Sequence, residues 1–136
     1  MTIQEAIDRF RALKAHSRTV FGTNSIYGDA NLIAWLWECD KTIWVEFLQA
    51  RMENENCPEF EPENPYDVND QGRELLMESP YDEGYLYWLE YKVKYYEEET
   101  EQANNALLLF RDKYDDYRAA VNRIAPADHK TRMKFW

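Results

Sequence analysis

The sequence predicts an all-α protein: a small helical bundle with a C-terminal helical hairpin, a long acidic irregular loop and an extended C-terminal tail. Three observations carry this. Apolar residues recur at three- and four-residue steps in three separate blocks. Glycine is scarce, with only Gly22, Gly28, Gly72 and Gly84, which disfavours a turn-rich β fold. Four of the five prolines, Pro58, Pro62, Pro65 and Pro80, gather in one stretch and leave the periodic blocks uninterrupted.

The first block opens on Thr2 and Glu5, the spacing of a capping box, in which the threonine hydroxyl and the glutamate carboxylate each accept from the other's backbone N–H. Ile3, Ile7, Phe10 and Leu13 follow on one face. The pattern fades at His16-Ser17, and residues 17–28 read as a loop. A second helix is expected to begin after Asp29, taken as its N-cap. Leu32, Leu36, Ile43 and Phe47 form one stripe, and Ile33, Trp37, Trp44 and Leu48 a second beside it. So wide an apolar face implies burial between other helices. Trp35 falls at its edge and is expected to be partly exposed.

Residues 53–80 show no period. A structureless stretch of that length inside a compact domain points to an interaction loop. Leu75, Leu76 and Met77 would supply a short extended piece able to pair with another segment. The last block runs from Asp82 to Ile124. Leu86, Leu89, Val93 and Tyr96 step along it, then Ala103, Leu107, Phe110, Tyr114, Tyr117, Val121 and Ile124. Spacing alone permits one long helix. The acidic run Glu97-Glu98-Glu99 interrupts the stripe, and a hairpin bent there lets the two halves bury each other. The reading is one helical domain over residues 1–126 and a tail over 127–136.

Net charge is −10, and it is local. Between Met52 and Glu83 there are eleven acids and one base, Arg73; the remainder holds fifteen of each. That surface would repel nucleic-acid phosphates. No apolar run approaches the ~20 residues of a membrane span, and no secretion signal is visible. Cys39 and Cys57 make no disulfide framework, and Cys39 reads as a small core residue.

No chemistry is signalled. His16 and His129 sit in loop-like sequence, and no phosphate-binding loop, dinucleotide fingerprint or metalloprotease motif occurs. Residues 67–78 partly match a calcium loop, with Asp67, Asn69, Gly72 and Glu78 at the right positions but Gln71 at the fifth. No helix enters that loop, because Asn64-Pro65 precedes it, so a solvated acidic turn is favoured. Carboxylate pairs suited to glycoside hydrolysis are too easily found among 26 acids to mean anything. The chain is therefore expected to be no enzyme and to need no cofactor or metal.

Two features point to protein partners instead. Tyr85, Tyr87, Trp88, Tyr91, Tyr95 and Tyr96 spread over more than one side of their helix, and exposed Tyr and Trp are favoured at interfaces. Core-and-boundary packing would explain them equally well. The tail alternates basic and apolar residues, and Lys130, Arg132, Met133, Lys134, Phe135 and Trp136 read as an anchor for a partner's groove rather than a frayed end or a membrane patch.

Several of these residues resemble a known family. Ser79-Pro80-Tyr81-Asp82-Glu83, Tyr85, Trp88-Leu89-Glu90, Asn104-Asn105-Ala106, Phe110, Tyr114, Tyr117 and Asn122-Arg123 look like the C-terminal half of small head–tail connector proteins of long-tailed phages and prophages of Gram-positive bacteria. Trp35-Leu36-Trp37-Glu38-Cys39-Asp40 and Ile43 are similar to that family's second helix. The likeness covers roughly residues 29–45 and 79–123, a diffuse pattern of aromatics and Asn. The family often has Asn-Gly where this chain has Glu97-Glu98, and the first 28 residues and those after Arg123 depart from it.

The resemblance implies a ring of copies, commonly twelve, beneath the portal in the virion neck. The ring joins the portal to a stopper or tail-completion protein, with genomic DNA passing through the centre without sequence-specific contact. Assembly would occur in the host cytoplasm. On this reading Tyr66, Leu75, Leu76, Met77, Tyr87 and Tyr91 lie between copies, and Lys130, Arg132, Met133, Lys134, Phe135 and Trp136 contact the portal or the next ring. The rival reading is an acidic mimic of nucleic acid, such as a phage counter-defence inhibitor.

Overall fold

A computed structural model of the chain describes residues 1–14, 28–51 and 60–124. Expectations placed on His16, the loop that follows it, Cys57, Pro58, His129 and the 127–136 tail lie outside the described residues. The described residues form four α-helices: α1 (Ile3–Leu13), α2 (Asp29–Glu46), α3 (Gly84–Tyr96) and α4 (Thr100–Ile124). Short 3-10 turns lie at Leu48–Arg51, Val68–Asp70 and Tyr81–Glu83. The described residues contain no strand, only one antiparallel bridge between Thr2 and Glu74. The all-α class follows from these elements.

α1 begins as its sequence dictates. Thr2 Oγ1 accepts from Glu5 N at 3.1 Å, and Glu5 Oε1 accepts from Thr2 N at 3.1 Å. The first four N–H groups of a helix have no intrahelical partner. Here Ile3 N donates to Arg73 O, Gln4 N to Gln71 O, Glu5 N to the Thr2 hydroxyl and Ala6 N to Thr2 O. The start of α1 is thus closed by the segment that sequence reading left without a structure. Ile3, Ile7 and Phe10 are buried, whereas Leu13, expected inward, is 67% exposed.

α2 starts one residue earlier than expected. Gly28 is the N-cap and Asp29 the first helical residue, its carboxylate turned to Arg11 Nη2 at 2.6 Å. Both predicted stripes face inward, except that Trp37 is only half-buried. Trp35 is buried, which corrects the expectation of an edge position. Its carbonyl accepts from Trp88 Nε1 at 2.8 Å, and its ring lies 5.4 Å from that of Tyr96. Cys39 is fully buried, and burial raises its thiol pKa.

The stripe Leu32, Leu36, Ile43, Phe47 has a gap that Asp40 fills. This carboxylate is fully buried. Oδ2 accepts from the Tyr66 hydroxyl at 2.6 Å and from Leu76 N at 3.3 Å, and Oδ1 from the Tyr85 hydroxyl at 2.5 Å. The Tyr85 oxygen in turn accepts from Met77 N at 2.7 Å. A buried charge is costly unless it is hydrogen-bonded in this way. Desolvation still pushes the Asp40 carboxyl up to about 6, against the opposing pull of Tyr66, Tyr85 and Leu76.

The described part of the acidic segment therefore belongs to the core of the fold. Phe60, Tyr66, Leu75, Leu76 and Met77 are buried against the helices. Leu75 N donates to Met1 O at 3.0 Å, but Leu76 and Met77 form a bend whose N–H groups go to Asp40 and Tyr85, so of the extended piece predicted at 75–77 only Leu75 is paired with the backbone of another segment. Nearby, Tyr117 Oη donates to Leu76 O at 3.4 Å.

α3 and α4 form the hairpin, and the long single helix that spacing permitted does not occur. α3 closes with a Schellman motif: Glu98 N donates to Tyr95 O and Glu99 N to Lys94 O. Glu98 occupies the left-handed position, φ 62°, that glycine usually fills. The Lys94 ammonium braces the turn, 2.9 Å from Glu99 and 3.7 Å from Glu97. At the other end of α3, Gly84 permits a close approach. A Cβ there would stand 3.0 Å from Met77 Cε and 3.1 Å from Lys113 Cβ. Tyr85, Leu89 and Val93 face the core with Ala103, Ala106, Phe110, Tyr114 and Tyr117 of α4. Leu86 is half-buried, and Tyr96, expected inward, is 61% exposed.

Two stability measurements follow. A left-handed conformation costs a side-chain-bearing residue about 1–2 kcal/mol, part of which glycine recovers. Glu98→Gly is expected to raise unfolding free energy by about 1 kcal/mol, read from the urea midpoint. For Asp40, the folded state keeps a proton between pH 3.8 and about 6 that the unfolded state has lost. Its contribution is greatest below that window and disappears as pH rises through it, a change of about 3 kcal/mol. Wild type should therefore lose about that much stability relative to Asp40→Asn between pH 4 and 7. A pH-independent difference between the two proteins would contradict the assignment.

Candidate interaction surface

A perturbed carboxylate is the usual mark of a reactive site. Asp40 has that mark without the access. It has no solvent-facing surface, and its donors are all groups of the same chain. Its role in this fold is to hold Tyr66, Leu76 and Tyr85 in place. The calcium-loop residues turn inward on themselves as well. Asp67 Oδ1 accepts from Asn69 N at 2.7 Å, and Asp70 Oδ2 accepts from Asp67 N at 3.0 Å. Among the described residues, no three His, Cys, Asp or Glu side chains gather as a metal site. No described helix is long and apolar enough to cross a membrane.

The surface feature that stands out is apolar. Leu13, Tyr95, Tyr96, Leu108 and Leu109 are all close to half exposed or more. Leu13 and Leu109 are walls of a groove of about 570 Å³ between the end of α1 and the hairpin. Phe10 and Ala106, both buried, belong to its lining, as do half-buried Leu86 and Tyr87. Its polar lining comprises Glu83, Glu90, Gln102 and Asn105. Glu90 is paired with Lys14, and Glu83 lies 3.8 Å from Lys113 with its side chain 56% exposed. A concave apolar site with a few polar groups is the usual form of a binding pocket, and this volume falls within the usual range.

Half-exposed aromatics continue along α3. Trp88 lies 5.4 Å from Tyr91 and 5.2 Å from Phe110, and Tyr91 lies 6.2 Å from Tyr95. The Lys92 ammonium sits 5.2 Å from the Trp88 ring centre and 2.9 Å from Glu38. The hairpin thus presents aromatic faces stiffened by their neighbours, with little side-chain entropy left to lose on binding.

Against the sequence expectations, the six residues assigned between copies divide. Tyr87 lines the groove and Tyr91 is half-exposed on α3, where a partner could meet them. Tyr66, Leu75, Leu76 and Met77 are buried inside the chain. The expectation that these four serve a neighbouring copy is corrected: the helices and Asp40 already cover them. Lys130, Arg132, Met133, Lys134, Phe135 and Trp136 lie outside the described residues. Sequence reading missed the groove, although Leu107-Leu108-Leu109 held a clue. Three consecutive leucines on a helix cannot share one buried stripe, and here Leu107 is half-buried while the next two face outward.

No family model, curated protein or solved structure matches this chain.

The exposed and buried positions of α4 should separate cleanly in denaturation. Leu108→Gln is expected to change stability by no more than about 0.5 kcal/mol. Phe110→Ala, one turn from the groove but facing the core, should lose about 3–5 kcal/mol. Comparable losses in both variants would show that Leu108 is covered.

Proposed function

We propose that this protein is a structural virion component: a ring-forming head–tail connector that joins the portal to the next neck or tail component around the DNA channel. The observation that carries the reading is the apolar surface that the α3–α4 hairpin exposes, at Tyr95 and Tyr96 on α3 and at Leu108 and Leu109 on α4. Exposed apolar surface in a small domain marks a protein contact. The same hairpin bears the aromatic and Asn pattern that resembles the connector family, including Asn105 on the groove. The exposed carboxylates of Glu61, Glu63, Asp67, Glu74, Glu78 and Glu83 suit a lumen in which DNA phosphates must slide rather than bind.

That acidic run also favours a second reading, an inhibitor that mimics nucleic acid. It calls for a monomer or dimer that captures a basic enzyme channel, and it gives the apolar groove no task. Mass measurement and imaging of the purified protein, with and without a portal, separate the two. The connector reading expects rings. It also expects that deleting residues 127–136 abolishes portal docking and leaves helical content unchanged. A protein that stays monomeric with the portal present would overturn the connector; normal docking by the shortened chain would overturn the role of the tail.

A further inference from the structure

We infer that residues 66–77 form a latch that opens as one unit while the helices stay packed, and that the charge on Asp40 sets how often it opens. The inference does not depend on the function proposed above. Local opening is expected where few bonds, rather than a helix or strand ladder, hold the backbone. Residues 66–77 fit that description, since their one helical turn is the short 3-10 piece at Val68–Asp70. Both flanks are exposed, Glu63, Asn64 and Pro65 before the latch and Glu78, Ser79 and Pro80 after it. A hinge is thus available at each end. Swinging the latch out uncovers Tyr66, Leu75, Leu76 and Met77 without unwinding an α-helix.

The buried side of the latch converges on one group. The Tyr66 hydroxyl and Leu76 N donate to the Asp40 carboxylate, and Met77 N donates to the Tyr85 hydroxyl, which itself donates to Asp40. The backbone ties on the other side run to the start of α1: Ile3 N to Arg73 O, Gln4 N to Gln71 O and Leu75 N to Met1 O. Opening breaks the Asp40 bonds and returns this carboxylate to water. In the closed form it faces Tyr66 and Arg73 of the latch, Tyr85 of α3 and the adjoining Cys39 thiol of α2. Tyr117 of α4 reaches Leu76 O instead. Burial pushes the closed carboxyl up to about 6, against the pull of its three donors and of the Arg73 guanidinium, whereas the ordinary value is 3.8. The closed latch therefore holds the proton more tightly than the open one, and opening becomes easier as pH rises through this range. The Met1 ammonium, paired with Glu74 of the latch and with Asp82, keeps its charge throughout the range.

Amide hydrogen exchange of the full chain, divided by the intrinsic rate at each pH, tests this. Leu76 and Met77 report the latch, and Leu89 and Val93, buried on α3, report the helices. The latch amides are expected to be the less protected pair, and to ignore low urea concentrations that speed exchange on α3. Their opening constant is expected to rise about tenfold from pH 5 to pH 7 and to level off above that. In Asp40→Asn the rise should vanish. Tyr66→Phe covers the case in which Asp40→Asn does not fold. It removes a donor to the charged form, so its rise should level off at a higher pH than that of wild type. Latch amides that match Leu89 and Val93 in both protection and urea dependence would overturn the local opening. A wild-type latch indifferent to pH, or a rise that persists in Asp40→Asn, would overturn the part given to Asp40. So would a Tyr66→Phe curve that levels off where wild type does.

Discussion

The Asp40 carboxylate joins the two parts of this fold. It stands in the middle of α2 and binds Tyr66 and Leu76 from the irregular segment and Tyr85 from the first turn of α3. No strand ladder or long helix fixes the segment between residues 60 and 80, so its register depends on a few specific bonds. Taking a charge out of water costs several kcal/mol, and three donors at short range offset much of it. What the arrangement secures is position. With Tyr85 held against α2, Gly84 lies against Met77 and α4, and the hairpin has one way to sit. The bonds from Ile3 and Gln4 to residues 71–73 then close the start of α1 on the same segment.

How much of this was legible depended on whether the cause was local. Capping boxes, stripes and the interruption at Glu97–Glu99 are short-range patterns, and α1, α2 and the hairpin came from them. The left-handed residue at Glu98 had no local sign, because glycine or asparagine usually marks that position. The Asp40 cluster was half legible. The gap at position 40 in an otherwise apolar stripe can be read from spacing, but its partners lie 26, 36 and 45 residues away. No local pattern points to Tyr66 and Tyr85 rather than to any of the other eight tyrosines. For the same reason residues 60–80 read as unsupported. Their burial depends on α1 and α2 arriving from elsewhere in the chain.

The candidate site escaped for a different reason. A groove is a relation between elements, and its lining combines the end of α1 with both helices of the hairpin. Helical periodicity assigned Leu13 to the core because it continues the Ile3, Ile7, Phe10 face. The structure leaves it 67% exposed, on the wall of the groove. A helix with rings on several sides cannot bury all of them, and the ones left exposed are Tyr95 and Tyr96, while Tyr87 and Tyr91 are half-buried.

The lengths of the two hairpin helices explain why the surplus collects where it does. α3 spans 13 residues, about 20 Å, and α4 spans 25, about 37 Å. Beyond the reach of α3, α4 is covered by other elements: Tyr114 hydrogen-bonds Glu46, and Tyr117 packs against Phe47 and Tyr81. Its far half is thus finished by α2 and the turn before α3, and its outward residues there, such as Asp112, Asp115 and Asp116, are charged. In its near half the outward positions are polar at Glu101, Gln102, Asn104 and Asn105, and then Leu108 and Leu109 face water beside the Leu86–Glu90 stretch of α3. A surface maintained for solubility alone would be polar along the whole helix. Leu108 and Leu109 interrupt an otherwise polar outward face, and they do so where α1 ends and the hairpin leaves a groove open.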